Sequence, residues 1–479
     1  MPSLKEIRFG VQPLERFRDV VGAENMERAL PIAQAARDRL AKRVVWNINS
    51  TAVGGGVAEM LQSILGYTRS IGIDTRWMVI SGNAEFFRVT KRLHNALHGS
   101  HGDGSALDDA AHEIYEQTLA RNALELSSIV RPRDVVILHD PQTAGLAPPL
   151  LRLGVHVVWR CHIGLDHSNE EAERGWEFLQ PYLTEVRHLV FSRRTYVPAF
   201  CDHGKAMIIQ PSIDAFSPKN QELTSAAVHT ILVHTGLVDG PPPVDADHSF
   251  EREDGSPGRV ERRADVVRSG RPPGLETPLI VQVSRWDRLK DMRGVMEGFA
   301  LFVHKGCPVQ PELVLAGPNV EGVSDDPEGS AVFAEVEEGW RALPQALRDR
   351  VHLASLPTED VEENAAIVNA LQRHATIVVQ KSLQEGFGLT VTEAMWKARP
   401  VVASAVGGIQ DQIEDGVSGI LLRDPHDLPT FADDLCSLLC EPERMKRLGE
   451  AARERVRDGF LGLRHLLKYA ALLERIDGD

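Results

Sequence analysis

Residues 376–403 read TIVVQKSLQEGFGLTVTEAMWKARPVVA. A short apolar run, Thr376–Val379, leads into a turn that carries Gly386 and Gly388. A helical stretch follows, and Val401–Ala403 opens another apolar run. Strand, glycine turn, helix and strand in this order make a βαβ unit with parallel strands. The runs are apolar throughout rather than alternating, which predicts a sheet covered by helices on both faces.

The same alternation extends outward in both directions. Val44–Ile48, Trp77–Ile80, Val135–Leu138, Val155–Trp159 and Ala206–Ile209 form a first set of predicted strands. Leu279–Val283, Leu313–Ala316, Val351–Leu353, Thr376–Val379 and Val401–Ala403 form a second. Amphipathic stretches such as Val57–Ile71 and Asp360–His374 lie between them, with apolar residues at three and four spacing. The expected fold class is α/β: two Rossmann-like, doubly wound domains facing across a cleft at the carboxyl ends of their strands, where such sheets bind ligands. The first domain is placed at 1–212, a connection at 213–277 and the second domain at 278–459. The last helix, 460–479, is expected to pack back on the first domain. Within the connection, residues 239–277 hold 6 Pro, 5 Gly and 15 charged residues in 39. So little apolar surface cannot offset the entropy of ordering, and this segment is expected to be disordered.

The chain has 479 residues, 43% hydrophobic and 25% charged, an ordinary composition for two or three soluble domains. Its 53 basic against 68 acidic residues leave a net charge of −15, which argues against non-specific binding to nucleic acid or an anionic membrane. No apolar run is long enough to span a membrane and no signal-like core opens the chain. Cys161, Cys201, Cys307, Cys436 and Cys440 are odd in number, scattered and without a CxxC pair. They read as reduced thiols of a cytoplasmic protein, not as a disulfide framework or a zinc site.

Three stretches carry chemistry. Thr51–Glu59, TAVGGGVAE, follows the first predicted strand. Gly54, Gly55 and Gly56 let backbone N–H groups approach a ligand where a helix start favours an anion, although a plain strand-to-helix turn reads equally well. Val283–Asp291, VSRWDRLKD, places Arg285 and Lys290 beyond a strand's carboxyl end, where two cations suit a phosphate. Glu385–Ala394, EGFGLTVTEA, sets two carboxylates eight apart around a glycine turn that opens a helix. Carboxylates accept paired hydrogen bonds from vicinal hydroxyls, and the N–H groups of Gly388, Leu389 and Thr390 suit a diphosphate.

Glu385-x7-Glu393, with Arg285 and Lys290 upstream and Gly54–Gly56 in the first domain, resembles the retaining GT-B glycosyltransferases of family 4. The stretches NSTAVGGGVAEML, RWMVISGNAEFFRVTKRLHNALHG, ILHDPQTAGL, WRCHI, VSRWD and EGFGLTVTEAMWKARPVVASAVGGIQDQI are similar to the trehalose-forming members, which join nucleotide-activated glucose to free glucose. Retaining trehalose phosphorylases share part of this pattern. The resemblance runs from about residue 40 to the C-terminus, apart from the insertion.

This resemblance implies a nucleotide-sugar domain at the C-terminal end and an acceptor domain at the N-terminal end. Arg285 and Lys290 would neutralise the leaving diphosphate, Glu385 would bind donor glucose hydroxyls and Glu393 the ribose. Gly55 and Gly56 would meet the phosphates, and His162 would line the donor sugar. His139, Asp140 and Gln142 would build the acceptor side, joined by Glu85, Lys91 and Asn95. No protein-bound metal or other obligatory cofactor is expected, with Mg2+ at most stimulatory. The partners implied are glucose and ADP-, UDP- or GDP-glucose, with helical faces leaving room for a homodimer.

Overall fold

The computed structural model describes residues 4–52, 56–202, 204, 206–241, 247–320 and 327–478. Contacts divide the chain into two compact units, Met1–Ser212 with Phe460–Asp479, and Ile213–Gly459. The last helix, Gly462–Gly478, belongs to the first unit, and the stretch read as a connection belongs to the second.

The first unit holds β1 (Lys5–Ile7), β2 (Val45–Asn49), β3 (Thr75–Val79), β4 (Val135–His139), β5 (His156–Cys161), β6 (His188–Phe191) and β7 (Ala206–Ile208). They form one sheet in the order β1-β3-β2-β4-β5-β6-β7, parallel except for β1 on β3. The chain runs from β2 to β3 on one side, then crosses to β4 and continues outward on the other. That reversal opens a crevice at the carboxyl ends of β2 and β4. Val136, Leu138, Trp159 and Phe191 pack into a core with Phe86, Tyr115 and Phe178. Val135, Ile137, Val158 and Val190 face the other way, against Ala470, Leu472 and Ile476 of the last helix. Side chains alternate across a strand, so burial on both faces is what makes these runs apolar throughout.

The second unit repeats the plan with β8 (Ser249–Glu251), β9 (Pro257–Arg259), β10 (Asp265–Val267), β11 (Leu279–Val283), β12 (Glu312–Pro318), β13 (Val351–Leu356), β14 (Ile377–Gln380), β15 (Val401–Ser404) and β16 (Ile420–Leu422). Its sheet runs β10-β13-β12-β11-β14-β15-β16, with only β10 antiparallel, so the order reverses between β11 and β14. Val295, Phe299, Phe302, Phe431 and Leu435 cover one face. Three- or four-residue strands such as β1, β6 and β16 lie below the length at which an apolar run stands out. Among the described residues, no helix is long and apolar enough to cross a membrane.

The expected disorder of 239–277 is not what the structure shows over its described part. Strands β8 and β9 pair as a hairpin, and β10 adds to the sheet edge with Val266 opposite Ala354. The segment needs no core of its own, because its charges are partnered at the start of helix Val361–His374. Arg252 reaches Asp360 at 2.6 Å and Glu362 at 2.7 Å. Glu363, 1% exposed, accepts the backbone N–H groups of Glu261 and Arg262, both at 2.7 Å, and pairs with the Arg262 side chain. Phe250 and Val260 supply the apolar anchors.

Glu363→Ala would leave two backbone donors without their acceptor, at a cost of about 1–3 kcal/mol. The expected result is faster amide exchange at Glu261 and Arg262 while β11 to β15 stay protected. Unchanged exchange at those two amides would contradict the anchoring role.

Candidate active site

In the second unit, the reversal between β11 and β14 brings two loops side by side. The Leu383 N–H donates to the Leu289 carbonyl at 2.8 Å. Lys290 Nζ lies 2.6 Å from Glu385 Oε2, with the two side chains only 15% and 11% exposed. Ser382 Oγ donates to the same carboxylate oxygen at 3.2 Å. Arg285 stands beside them in sequence but points to solvent, 60% exposed, with Asp287 at 3.1 Å. Gly388 has φ +83°, and a Cβ there would come within 3.0 Å of Glu385 Cγ and Ile409 Cγ1. It leads into helix Leu389–Trp396, whose first turn, with Leu389 and Thr390, has no side-chain cap. Uncapped N–H groups and the helix dipole favour an anion at this end. Glu393, one turn further, is 3% exposed, with Lys219 Nζ 3.6 Å from Oε1. The Lys397 ammonium donates to the Glu393 carbonyl at 3.1 Å, and burial lowers its pKa well below the ordinary lysine value.

Both loops hang on two buried amides that the sequence reading passed over. Gln282, at 0% exposure, donates to the Lys290 carbonyl at 2.8 Å and accepts from the Lys381 N–H at 3.2 Å. Gln380 accepts from Thr390 Oγ1 at 3.1 Å and donates to Ser382 Oγ at 3.0 Å. Their signal was visible: each is a lone amide in an otherwise apolar strand. Trp286 and Trp396 are core residues, donating from Nε1 to the carbonyls of Pro318 and Asn220.

In the first unit, Gly56 opens helix Gly56–Ser70 after β2, while Gly54 and Gly55 lie outside the described residues. His139 ends β4, and Asp140 follows with φ +65°, ψ 175°, a region that L residues rarely occupy. What holds Asp140 there is His162, whose N–H lies 2.7 Å from Oδ1 and whose Nδ1 lies 3.0 Å from Oδ2. Burial works to raise the Asp140 pKa, but the His162 ring and N–H outweigh it and hold it at about 2. His162 Nε2 accepts from Arg160 Nε at 2.6 Å. Because a guanidinium only donates, the His162 proton must sit on Nδ1.

Arg160, fully buried, also donates to His465 Nε2 at 3.0 Å, Tyr469 Oη at 2.5 Å and the Ile209 carbonyl at 3.3 Å. His465 therefore carries its proton on Nδ1, 3.1 Å from Ser212 Oγ. This chain of groups tying the last helix to β5 was missed, although an arginine inside the apolar run VVWRC was its trace. Both nitrogens of His162 are thus engaged within the protein. His139 differs: its ring stacks on His162 at 5.4 Å, Nε2 meets Asn47 Oδ1 at 3.1 Å, and buried Nδ1 has no partner among the described residues. Gln142 sits half-buried in the 3-10 turn Pro141–Leu146. Glu85, Lys91 and Asn95 lie on helix Ala84–Leu97, the first two exposed. Among the described residues, no hydrogen bond joins these three side chains to His139, Asp140 or His162.

Known proteins share this organisation. The family profile "Trehalose synthase, N-terminal domain" matches residues 47–198, and "Glycosyl transferases group 1" matches 356–455. A trehalose synthase of Pyrococcus horikoshii is 36% identical over 480 residues, covering 100% of both chains. A trehalose phosphorylase of Pleurotus pulmonarius is 26% identical, covering 94% of this chain and 59% of its own. Among solved structures, an α,α-trehalose-phosphate synthase (UDP-forming) of Burkholderia xenovorans, in complex with glucose-6-phosphate, has a TM-score of 0.66 at 14% identity. The match covers 91% of this chain and 100% of that one.

Two parallel sheets with an anion-favouring helix start and paired charges at one reversal define a glycosyltransferase of the GT-B fold. Identity across the full length narrows this further. The chain belongs to the trehalose synthase family, the trehalose-forming glycosyltransferases of family 4.

Burial keeps His139, His162 and His465 neutral. For His162 the Asp140 carboxylate opposes that effect and Arg160 adds to it. An unfolded chain binds their protons near pH ~6.5 and the folded chain only at lower pH. Stability is therefore full above that value and falls as pH drops below it, by up to about 1.4 kcal/mol per pH unit per imidazole. Urea unfolding at a series of pH values checks this, and a flat profile through the histidine range would contradict it.

Proposed function

We propose that the protein is a retaining glucosyltransferase that makes α,α-trehalose from a nucleoside-diphosphate glucose and glucose. The observation that carries this reading is the Lys290–Glu385 pair beside the uncapped helix start at Leu389. An ammonium and a backbone N–H cluster suit a diphosphate, and a carboxylate suits sugar hydroxyls. Without ligand the two charges satisfy each other at 2.6 Å. A bound sugar nucleotide would exchange partners, Lys290 moving to the diphosphate and Glu385 to the glucose hydroxyls, so neither charge is left bare. Arg285, exposed and, among the described residues, paired with Asp287, can swing onto the same phosphates.

Such preorganised cations stabilise the charge that develops as the bond from C1 to the phosphate oxygen breaks. The new bond forms from the acceptor's anomeric oxygen to C1 on the same face, and the acceptor proton passes to the departing phosphate oxygen. Arg285, Lys290 and the helix start take the neutralising role, so no protein-bound metal is called for and Mg2+ is at most stimulatory. Glu393 would take the ribose, displacing Lys219. In the first unit, His139 Nδ1 is the lone pair left for a substrate hydroxyl, and His162 acts by holding Asp140 and the His139 ring in place.

A second reading, phosphorolysis of trehalose, draws support from the phosphorylase relative. It needs the same cations for inorganic phosphate and no nucleotide.

The purified chain is incubated with glucose and each of ADP-, UDP- and GDP-glucose, and the product is identified by NMR. The expected product is α,α-trehalose, with Lys290→Ala lowering turnover by about 100–1000-fold and Glu385→Ala and Arg285→Ala also impaired. Glucose 1-phosphate from trehalose and phosphate, with no trehalose from any nucleotide donor, would replace this reading by the second. A trapped covalent glucosyl-enzyme would overturn the same-face route.

A further inference from the structure

The five cysteines are scattered in sequence, but three of them meet in space. Cys307 follows helix Met292–His304, while Cys436 and Cys440 lie one turn apart on helix Leu428–Cys440. All three sulfurs lie within 4.8 Å of one another, and Cys307 Sγ is 3.9 Å from Cys440 Sγ. All are free thiols, graded from buried Cys307 through half-buried Cys436 to exposed Cys440.

Metal–sulfur bonds of about 2.3 Å place neighbouring sulfurs about 3.8 Å apart in a tetrahedral site and about 4.0 Å apart in a trigonal one. The 3.9 Å between the Cys307 and Cys440 sulfurs falls between these, and the Cys436 sulfur, within 4.8 Å of both, needs to move by less than an ångström to match. A turn of helix fixes two ligands, and the third comes from a chain segment packed into the same core. Exposed Cys440 provides the way in and leaves room for a water as fourth ligand. Thiolates select soft, closed-shell ions over Mg2+ or Ca2+.

We infer that Cys307, Cys436 and Cys440 form a binding site for one thiophilic closed-shell metal ion, Zn2+ or Cu+ by chemistry, which staples helix Leu428–Cys440 to the segment after His304. Binding replaces three S–H bonds by three metal–sulfur bonds and releases three protons to solvent. No oxidant is involved. The site is independent of the sugar chemistry, since no residue of it belongs to the loops around Lys290 and Glu385.

The full chain, reduced with a phosphine and stripped of metal, is titrated with Cd2+ and in a second arm with Zn2+ and Cu+. The expected result is an ultraviolet thiolate-to-cadmium band that saturates at one ion per chain and a raised melting temperature with Zn2+ or Cu+. Exposed Cys440→Ser should weaken binding at least tenfold and still fold, and Cys436→Ser should do the same. The double variant Cys161→Ser/Cys201→Ser, which removes the thiols of the first unit, should keep the band. No band, a band that survives Cys440→Ser and Cys436→Ser, or uptake only at millimolar metal would each overturn the site. So would a Cys307–Cys440 disulfide on air exposure combined with no metal uptake after reduction, which would make the cluster a redox pair instead.

Discussion

A strand buried on both faces has nowhere to put an unpartnered polar group, and this constraint organises each unit. Leaving a buried donor or acceptor unsatisfied costs about 1–3 kcal/mol, more for a charge. The chemistry is therefore driven to the carboxyl ends of the strands, where loops can turn out to a ligand. Most polar groups inside the strands are tied up in hydrogen bonds, and among the described residues His139 Nδ1, at the carboxyl end of β4, is an exception. Gln282 and Gln380 spend theirs on the loops that carry Lys290, Ser382 and Thr390. Arg160 spends its own on His162, His465, Tyr469 and a carbonyl. The same residues that satisfy the core thus aim the site.

The two units solve that problem with different chemistry. In the second, the groups at the reversal are charged and nearly buried, and Lys290 and Glu385 satisfy each other. Breaking such a pair is costly unless a new partner arrives in the same step. A ligand that is anionic at one end and hydroxylated at the other supplies both partners together, which favours a sugar phosphate over either piece alone. In the first unit, burial holds the imidazoles neutral, Arg160 and Asp140 fix the His162 tautomer and Asn47 meets His139 Nε2. Neutral, orientated lone pairs suit an uncharged sugar and would do little for a diphosphate.

Much of this was legible in the residues. The central strands of both sheets are mostly apolar runs, and their parallel pairing and the turn Glu385–Gly388 follow from the βαβ rule. The insertion misled because composition speaks only to whether a segment can build its own core. Arg252, Arg262 and the backbone at Glu261 are instead tied to Asp360, Glu362 and Glu363, carboxylates about a hundred positions away. The Lys290–Glu385 pairing was hidden for a similar reason: both residues were singled out, yet only the strand order makes loops 95 positions apart into neighbours. Arg160 illustrates a different blind spot. A polar residue inside an apolar strand announces that a partner exists, and not which one, and here the partners lie some 305 positions further along on the last helix.

The transferase and phosphorylase readings part at one place in this geometry. Both break or make a bond between C1 of glucose and a phosphate oxygen, so Lys290, Arg285 and Glu385 would serve either proposed reaction equally. Glu393 does not. A carboxylate kept 3% exposed beside Lys219 bears the cost of burial for some return. Paired vicinal hydroxyls of a ribose would repay it by donating to both carboxylate oxygens, and inorganic phosphate would be repelled by the same charge. If phosphate alone were the partner, the neighbouring Lys219 and Lys397 would be better matched by the ligand than by a glutamate. The placement of that one anion behind an uncapped helix start is therefore the physical argument on which the proposed reading favours a nucleotide over a bare phosphate.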